Sequence, residues 1–274
     1  MAALEKLRAA TCDDALAYLA HNPYENVFVT WLIESAIAGR PGNEVLLWRD
    51  AEGIVRGVGY FGPQLVLHAE HDEAVDAFAA HARRASSPRT IAGPVPTIER
   101  FWSLARGSFR TPSTIRKCQP VYALARADLR YTRADAEVGQ ASLDELREIA
   151  DNAAAMIVGE LGSDPRKNGS DFYNRTAALI KRGWFWRYRV AGRLVFMCHV
   201  GSVSALTAQL QGVWTPLAER GQGYATRGLG AICDHLLERH RTLSLYVNDF
   251  NAPAIALYER VGFRPVGAFR TIIF

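Results

Sequence analysis

The stretch GVWTPLAERGQGYAT, Gly212–Thr226, decides how the second half of this 274-residue chain is read. An apolar strand pattern, SALTAQLQGVWT (204–215), runs into a turn. Arg220-Gly221-Gln222-Gly223-Tyr224-Ala225 then opens a helical pattern. Small residues at 221, 223 and 225 let a ligand approach the backbone closely. The amides of a helix's first turn have no internal partner, and together with the helix dipole they form a site for a diphosphate. A Walker loop would end in Gly-Lys-Ser/Thr, which is absent. A dinucleotide fingerprint needs a third glycine in an early βαβ unit. Here Thr226 takes that place, near the end of the sequence.

Downstream, YVNDFNAPAIALYERVGF (Tyr246–Phe263) joins a strand to a helix that carries Tyr258. Asn251 and Tyr258 are seven residues apart, two helical turns, which predicts one shared helix face. By itself Asn251 also reads as an N-cap, and Tyr258 as a core aromatic. The two motifs in this order and spacing resemble the GNAT N-acetyltransferases, whose pyrophosphate loop reads [Arg/Gln]-x-x-Gly-x-[Gly/Ala]. Further likeness in ALAYLAHNPYENVFV, QLQGVWT and VGFRPVGAF points to a two-domain group in which a domain of unknown function comes first.

The resemblance implies an α/β GNAT fold, a mixed splayed sheet flanked by helices, preceded by a smaller α/β domain that reads as a decayed GNAT-like unit. It implies acetyl-CoA as donor, no metal, and transfer to a primary amine by direct attack in a ternary complex. Val213, Trp214 and Thr215 would bond the pantetheine arm, and a strand amide would face the thioester carbonyl. Arg220, Gly221, Gln222, Gly223, Tyr224, Ala225 and Thr226 would hold the pyrophosphate. Asn251 would bind pantetheine, and Tyr258 would stand beside the sulfur as general acid. A phenol pKa of about 10 against about 8.5 for a thiol suits that role.

Some relatives carry a glutamate base five residues before the asparagine; Tyr246 stands there instead. Candidate bases are Glu160, His199, Asp249 and a water held by Gln211. Glu160 is the catalytic candidate, with a solvated helix-end carboxylate as its other reading. His199, in MCHVGSV, reads as structural. Gln209 and Gln211 share one strand face, as do Tyr246 and Asn248. Each pair either contacts the acceptor or satisfies neighbouring backbone.

Around these motifs the second half reads as β-α-α-β-β-β-α-β-α-β. YTR (131–133) is its first strand, and Ser142 and Glu145 form a capping box. Gly228 and Gly230, inside a helix, call for close packing. The first half, divided at 1–128 and 129–274, alternates helix and strand signals. Its helices are DDALAYLA, NVFVTWLIESAI, DEAVDAFAAHARRA and PVPTIERFWSLARG. Its strands are EVLLWR, GIVRGVGYF, QLVLH, RTIAG and QPVYALAR. It carries no catalytic constellation, and Gly93-Pro94 reads as an ordinary strand-to-helix turn. The C-terminal VGAFRTIIF has two readings, a strand paired across a homodimer or a simple sheet edge.

Composition narrows the classes. Hydrophobic content of 49% with 22% charged residues is that of a globular protein, and a net charge of +4 with no basic stripe argues against nucleic acid. The four cysteines lack a C-x-x-C pair, which removes zinc knuckles and redox motifs. There is no signal peptide and no spanning run, so no membrane partner is expected and the reading is cytoplasmic. The function expected is N-acetylation of a small-molecule or protein amine. The rival is an acyl-CoA-binding sensor with little turnover, kept open by Tyr246.

Overall fold

The computed structural model describes residues 2–40, 42–83, 88–130 and 137–274. They form two compact units, the first from residues 1–122, 246–252 and 265–274, the second from 123–245 and 253–264. In chain order the elements begin with β1 (Ala3–Lys6), α1 (Cys12–Leu19), α2 (Pro23–Glu34), β2 (Glu44–Arg49), β3 (Val55–Phe61) and β4 (Gln64–Ala69). Then come α3 (Asp72–Ala82), β5 (Thr90–Pro94), α4 (Val95–Ala105) and β6 (Thr114–Ala125). The rest are β7 (Val138–Gln140), α5 (Leu146–Leu161), α6 (Asp171–Lys181), β8 (Phe185–Val190), β9 (Arg193–Val203), β10 (Thr207–Trp214), α7 (Tyr224–Leu236), β11 (Thr242–Tyr246), α8 (Ala252–Val261) and β12 (Arg264–Ile273).

The first unit is a mixed sheet in the order β1-β2-β3-β4-β5-β12-β6. β2 to β4 are antiparallel, and β4 to β5 is parallel. Val45–Trp48 of β2 are apolar without alternation because helices cover both faces of the sheet. Val45 and Leu47 pack with Leu19, Leu32 and Ile33 of α1 and α2. Leu46 and Trp48 face the other way, toward Phe78 and Phe101 of α3 and α4. Phe78 and Phe101 are fully buried, and burial of such a side chain contributes about 1.5–3 kcal/mol.

The second unit has the strand order β11-β10-β9-β8-β7. One sheet face carries Phe185, Leu194 and Met197 under α5 and α6. On the other face, Gly228 of α7 sits on Phe196 of β9, where a Cβ would come within 2.7 Å of the ring. That contact accounts for a glycine inside a helix. The Ser142 amide donates to the Glu145 carboxylate at 2.8 Å, completing the expected capping box. Glu145 also binds Arg187 and Arg189.

The structure adds strands to the sequence reading and places the last one. Ala3–Lys6, which has helix-forming residue types, is a strand because it pairs with β2 from Ala3↔Arg49 to Lys6↔Leu46. In the second unit Val138–Gln140 pairs with β8; the strand expected at 131–133 lies outside the described residues. The C-terminal VGAFRTIIF is no sheet edge: within β12, Phe269–Ile273 pair with Pro94–Thr90 of β5, and β6 flanks the other side. Among the described residues, no helix is long and apolar enough to cross a membrane.

Candidate functional site

The site is built where β10 parts from β11. The two strands pair in parallel over Thr207↔Thr242, Ala208↔Leu243 and Gln209↔Ser244, and there the pairing ends. β10 continues to Trp214 with its β11-side edge open. A turn follows, a 3-10 segment spans Leu217–Glu219, and α7 starts at Tyr224. Gly221 and Gly223 have φ of +77° and +76°, and nothing stands within 4 Å of where their Cβ atoms would be. Their glycines therefore serve backbone conformation and open space, not packing. The first turn of α7 has no acidic residue, and its leading amides lack intrahelical partners. These residues fit a diphosphate, with a strand edge alongside for an amide-bearing arm.

The loop is tied down from both sides. The Arg220 guanidinium lies 4.7 Å from the Trp214 ring centroid, and its Nε donates to the Thr215 carbonyl at 3.2 Å. Arg220 thus braces the loop against the strand end. Arg193 pairs with Glu219 at 2.9 Å. Tyr224 is buried edge-on to Tyr188, with Arg227 over its ring. Gln222 is exposed and reaches the Ala218 carbonyl at 3.5 Å. Arg260 of α8 comes within 3.5 Å of the Thr226 hydroxyl, beside Ala225 in the helix's first turn. Reading along the sequence missed Glu219, Arg193 and Arg260, since nothing local marks their pairing.

Tyr258 is buried in α8, edge-on to Phe263. Burial pushes its phenol well above its ordinary pKa, and the Cys198 and Glu160 charges push it further. It is a protonated donor throughout the physiological range. The same coupling brings Glu160, exposed at the end of α5, within electrostatic reach of Tyr258. Asn251 is the residue immediately before α8, not a member of its first turn. The shared helix face expected for Asn251 and Tyr258 is therefore not a helix face. The Asn251 amide donates to the Asn248 carbonyl at 2.9 Å.

The Gln209 and Gln211 side chains meet, as their shared strand face requires: Gln211 Nε2 donates to Gln209 Oε1 at 3.0 Å. Ser202 Oγ donates to the same oxygen at 3.4 Å. Gln211 stands opposite His199 in the ladder, and burial lowers the His199 pKa to about 4. The other face-sharing pair divides. Asn248 is buried and accepts from Gln119 Nε2 at 3.0 Å, while Gln119 Oε1 accepts from Thr271 at 2.6 Å. The Asn248 side chain is thus bonded to another side chain rather than to backbone. Tyr246 is partly exposed, with its ring 5.6 Å from Phe269. Asp249 is exposed, and its amide donates to the Cys118 carbonyl. Among the described residues, no three His, Cys, Asp or Glu side chains are grouped to hold a metal.

Comparison with known proteins gives the same picture. Residues 143–263 match the model of the Acetyltransferase (GNAT) family, and residues 44–149 match a domain of unknown function, DUF4081. No curated protein matches the chain. Among solved structures, a GNAT-family acetyltransferase from Colwellia psychrerythraea is similar at 14% identity and a TM-score of 0.62, over 99% of each chain. A Drosophila protein is similar at 12% identity and a TM-score of 0.70, over 99% of this chain and 98% of that one. A tandem GNAT protein from the clavulanic acid biosynthesis pathway is similar at 17% identity and a TM-score of 0.59, over 99% and 98%. Such identities show the fold alone, and that fold runs the whole length of the chain. Behind a DUF4081 domain, this protein carries a domain of the GNAT acetyltransferase family.

Proposed function

We propose that the second unit transfers the acetyl group of acetyl-CoA to a primary amine, by direct attack in a ternary complex. The observation that carries this reading is the open N-terminus of α7, which comes after the unpaired edge of β10 through a glycine-bounded loop free of carboxylates in the first helical turn. The amides of Gly221–Thr226 and the helix dipole supply positive potential for the diphosphate. Backbone groups of Val213, Trp214 and Thr215 bond the pantetheine arm along the open strand edge. The cosubstrate supplies an activated thioester.

The chain's own contribution is positioning and charge. Fixed amide donors at the end of β10 stabilise negative charge on the acyl oxygen, commonly the largest catalytic contribution. Holding both reactants together removes much of the entropic barrier. Tyr258 stays protonated because it is buried, so it can hydrogen-bond the departing thiolate. Glu160, coupled to Tyr258, is the proposed group that takes the amine's proton, directly or through water. Gln209 and Gln211 line the acceptor side. The acceptor is a small-molecule or protein amine.

The test is thiol release from acetyl-CoA by the full chain against a panel of primary amines, with mass spectrometry of the products. Amine-dependent release with an acetylated product supports the reading. Tight binding of acetyl-CoA with no release by any amine would count against transfer.

A further inference from the structure

Two irregularities face each other across β9 and β10. Between Gln209 and Leu210 the register skips Gly201 of β9, so that strand carries one extra residue. Between Gln211 and Trp214 the extra residue is on β10, at Gly212-Val213. Each glycine notch is filled by a polar side chain of the other strand. A Cβ on Gly201 would come within 2.4 Å of the Gln211 amide, and a Cβ on Gly212 within 2.6 Å of His199 Nδ1. Gly212 also has φ of +61°. A bulge bends its strand and re-aims the residues beyond it.

His199 is held firmly in its notch. Its ring stacks on Phe185 at 5.3 Å, its neighbour across β8 and β9. Gln211 stands opposite it in the ladder, and the Gln211 amide donates to Gln209, which also accepts from Ser202. Its Nδ1 is buried against Gly212 with no hydrogen-bond partner.

We propose that His199 is a positioning residue: wedged against Gly212, it fixes the β10 bulge that aims the amides of Val213–Thr215 at the acyl carbonyl. This rests on the acyl-CoA reading above. The imidazole does not take the amine's proton. It sets the angle at which the strand presents its donors, and the neutral ring packs without charge.

The experiment uses the full chain with carbonyl-labelled [1-13C]acetyl-CoA. Hydrogen bonding to the acyl oxygen moves the carbonyl resonance downfield, and this readout needs no amine. In the parent the bound resonance shifts downfield. In His199→Ala the resonance collapses toward the free-ligand position even when acetyl-CoA is supplied at concentrations that saturate the variant, as judged by calorimetry with plain coenzyme A. Thiol release then slows about 100-fold, the scale of one misplaced oxyanion donor. His199→Phe, a ring without a base, recovers most of the shift and keeps the parent's pH profile. Gly212→Ala pushes on the wedge from the other side and serves if His199→Ala does not fold; it should also lose the shift.

A full shift in His199→Ala, or in Gly212→Ala, overturns the wedge. So does His199→Phe failing as His199→Ala does with an acidic limb missing from the pH profile, which is the behaviour of a base. If the parent itself binds no coenzyme A, the function proposed above fails and this proposal goes with it.

Discussion

The two halves of the chain run through the same order of elements, from β1 to β6 and from β7 to β12, and the two units differ at one junction. In the first unit β4 pairs with β5 over Gln64↔Thr90, Leu65↔Ile91 and Val66↔Ala92; in the second, β10 pairs with β11 over three residues in the same arrangement. The next positions diverge. In the first unit Gly93 comes next, and its missing side chain lets the Leu67 carbonyl approach to 2.2 Å from where a Cβ would be. Thr97 then closes the gap by donating to the Ala69 carbonyl at 3.2 Å. In the second unit the corresponding pair is Leu210 and Leu245, with a side chain on both strands, and the strands part. The linkers differ too. Only Glu70 and His71 separate β4 from α3, whose first turn holds Asp72 and Glu73. Residues 215–223 separate β10 from α7, with no acid in the first turn. On the function proposed above, cofactor capacity is a local property of one strand pair and one helix start. The rest of the architecture persists without it.

The largest effect expected from breaking this difference is at Gly223. Gly223→Glu gives the second unit a carboxylate at the helix start, as the first has, and forces a side chain onto a residue at φ +76°. Coenzyme A affinity should fall by more than about 100-fold, roughly 2.7 kcal/mol, measured by calorimetry. Next is Tyr258→Phe, which removes the donor while leaving the ring. We expect kcat to fall about 100-fold, at the low end of general acid contributions, with coenzyme A affinity retained. Unchanged kcat would remove Tyr258 from the chemistry.

On the other side of the comparison, Gly93→Ala should prise β4 from β5. Its methyl meets backbone, which cannot rotate away, so the expected loss is about 3 kcal/mol, read from urea unfolding. The smallest effect concerns His68 of β4, buried with Nε2 unpartnered and its pKa lowered by burial to about 3. The unfolded chain, with an ordinary imidazole, binds more protons between pH 6.5 and 3, so stability falls as pH drops through that window. At pH 5 the loss is about 2 kcal/mol relative to pH 7, and His68→Leu should abolish that share. An identical acid profile for parent and variant would contradict it.

The range of each interaction decides how much of this was legible in the sequence. The turn into the helix at Tyr224, the capping box and the helix that carries Tyr258 are written in runs of a few residues, and the structure has all three there. The interruption at Gly212 was visible only as a glycine in a strand. Its meaning needs the register against β9, where His199 stands. The place of β12 was unreadable for the same reason: Ile273 pairs with Thr90, a partner that no local pattern names. β1 shows tertiary pairing overriding helix-favouring residues. Asn248 illustrates the converse, since period-two alternation put it with Tyr246 on one face but did not reveal Gln119 as its partner.

The most direct test of the central claim is a calorimetric titration of coenzyme A into the full chain and into Gly223→Glu. The account predicts a single site per chain in the parent and none in the variant. Two sites in the parent, or one that survives in the variant, would place binding capacity outside the α7 junction and contradict the distinction between the two units.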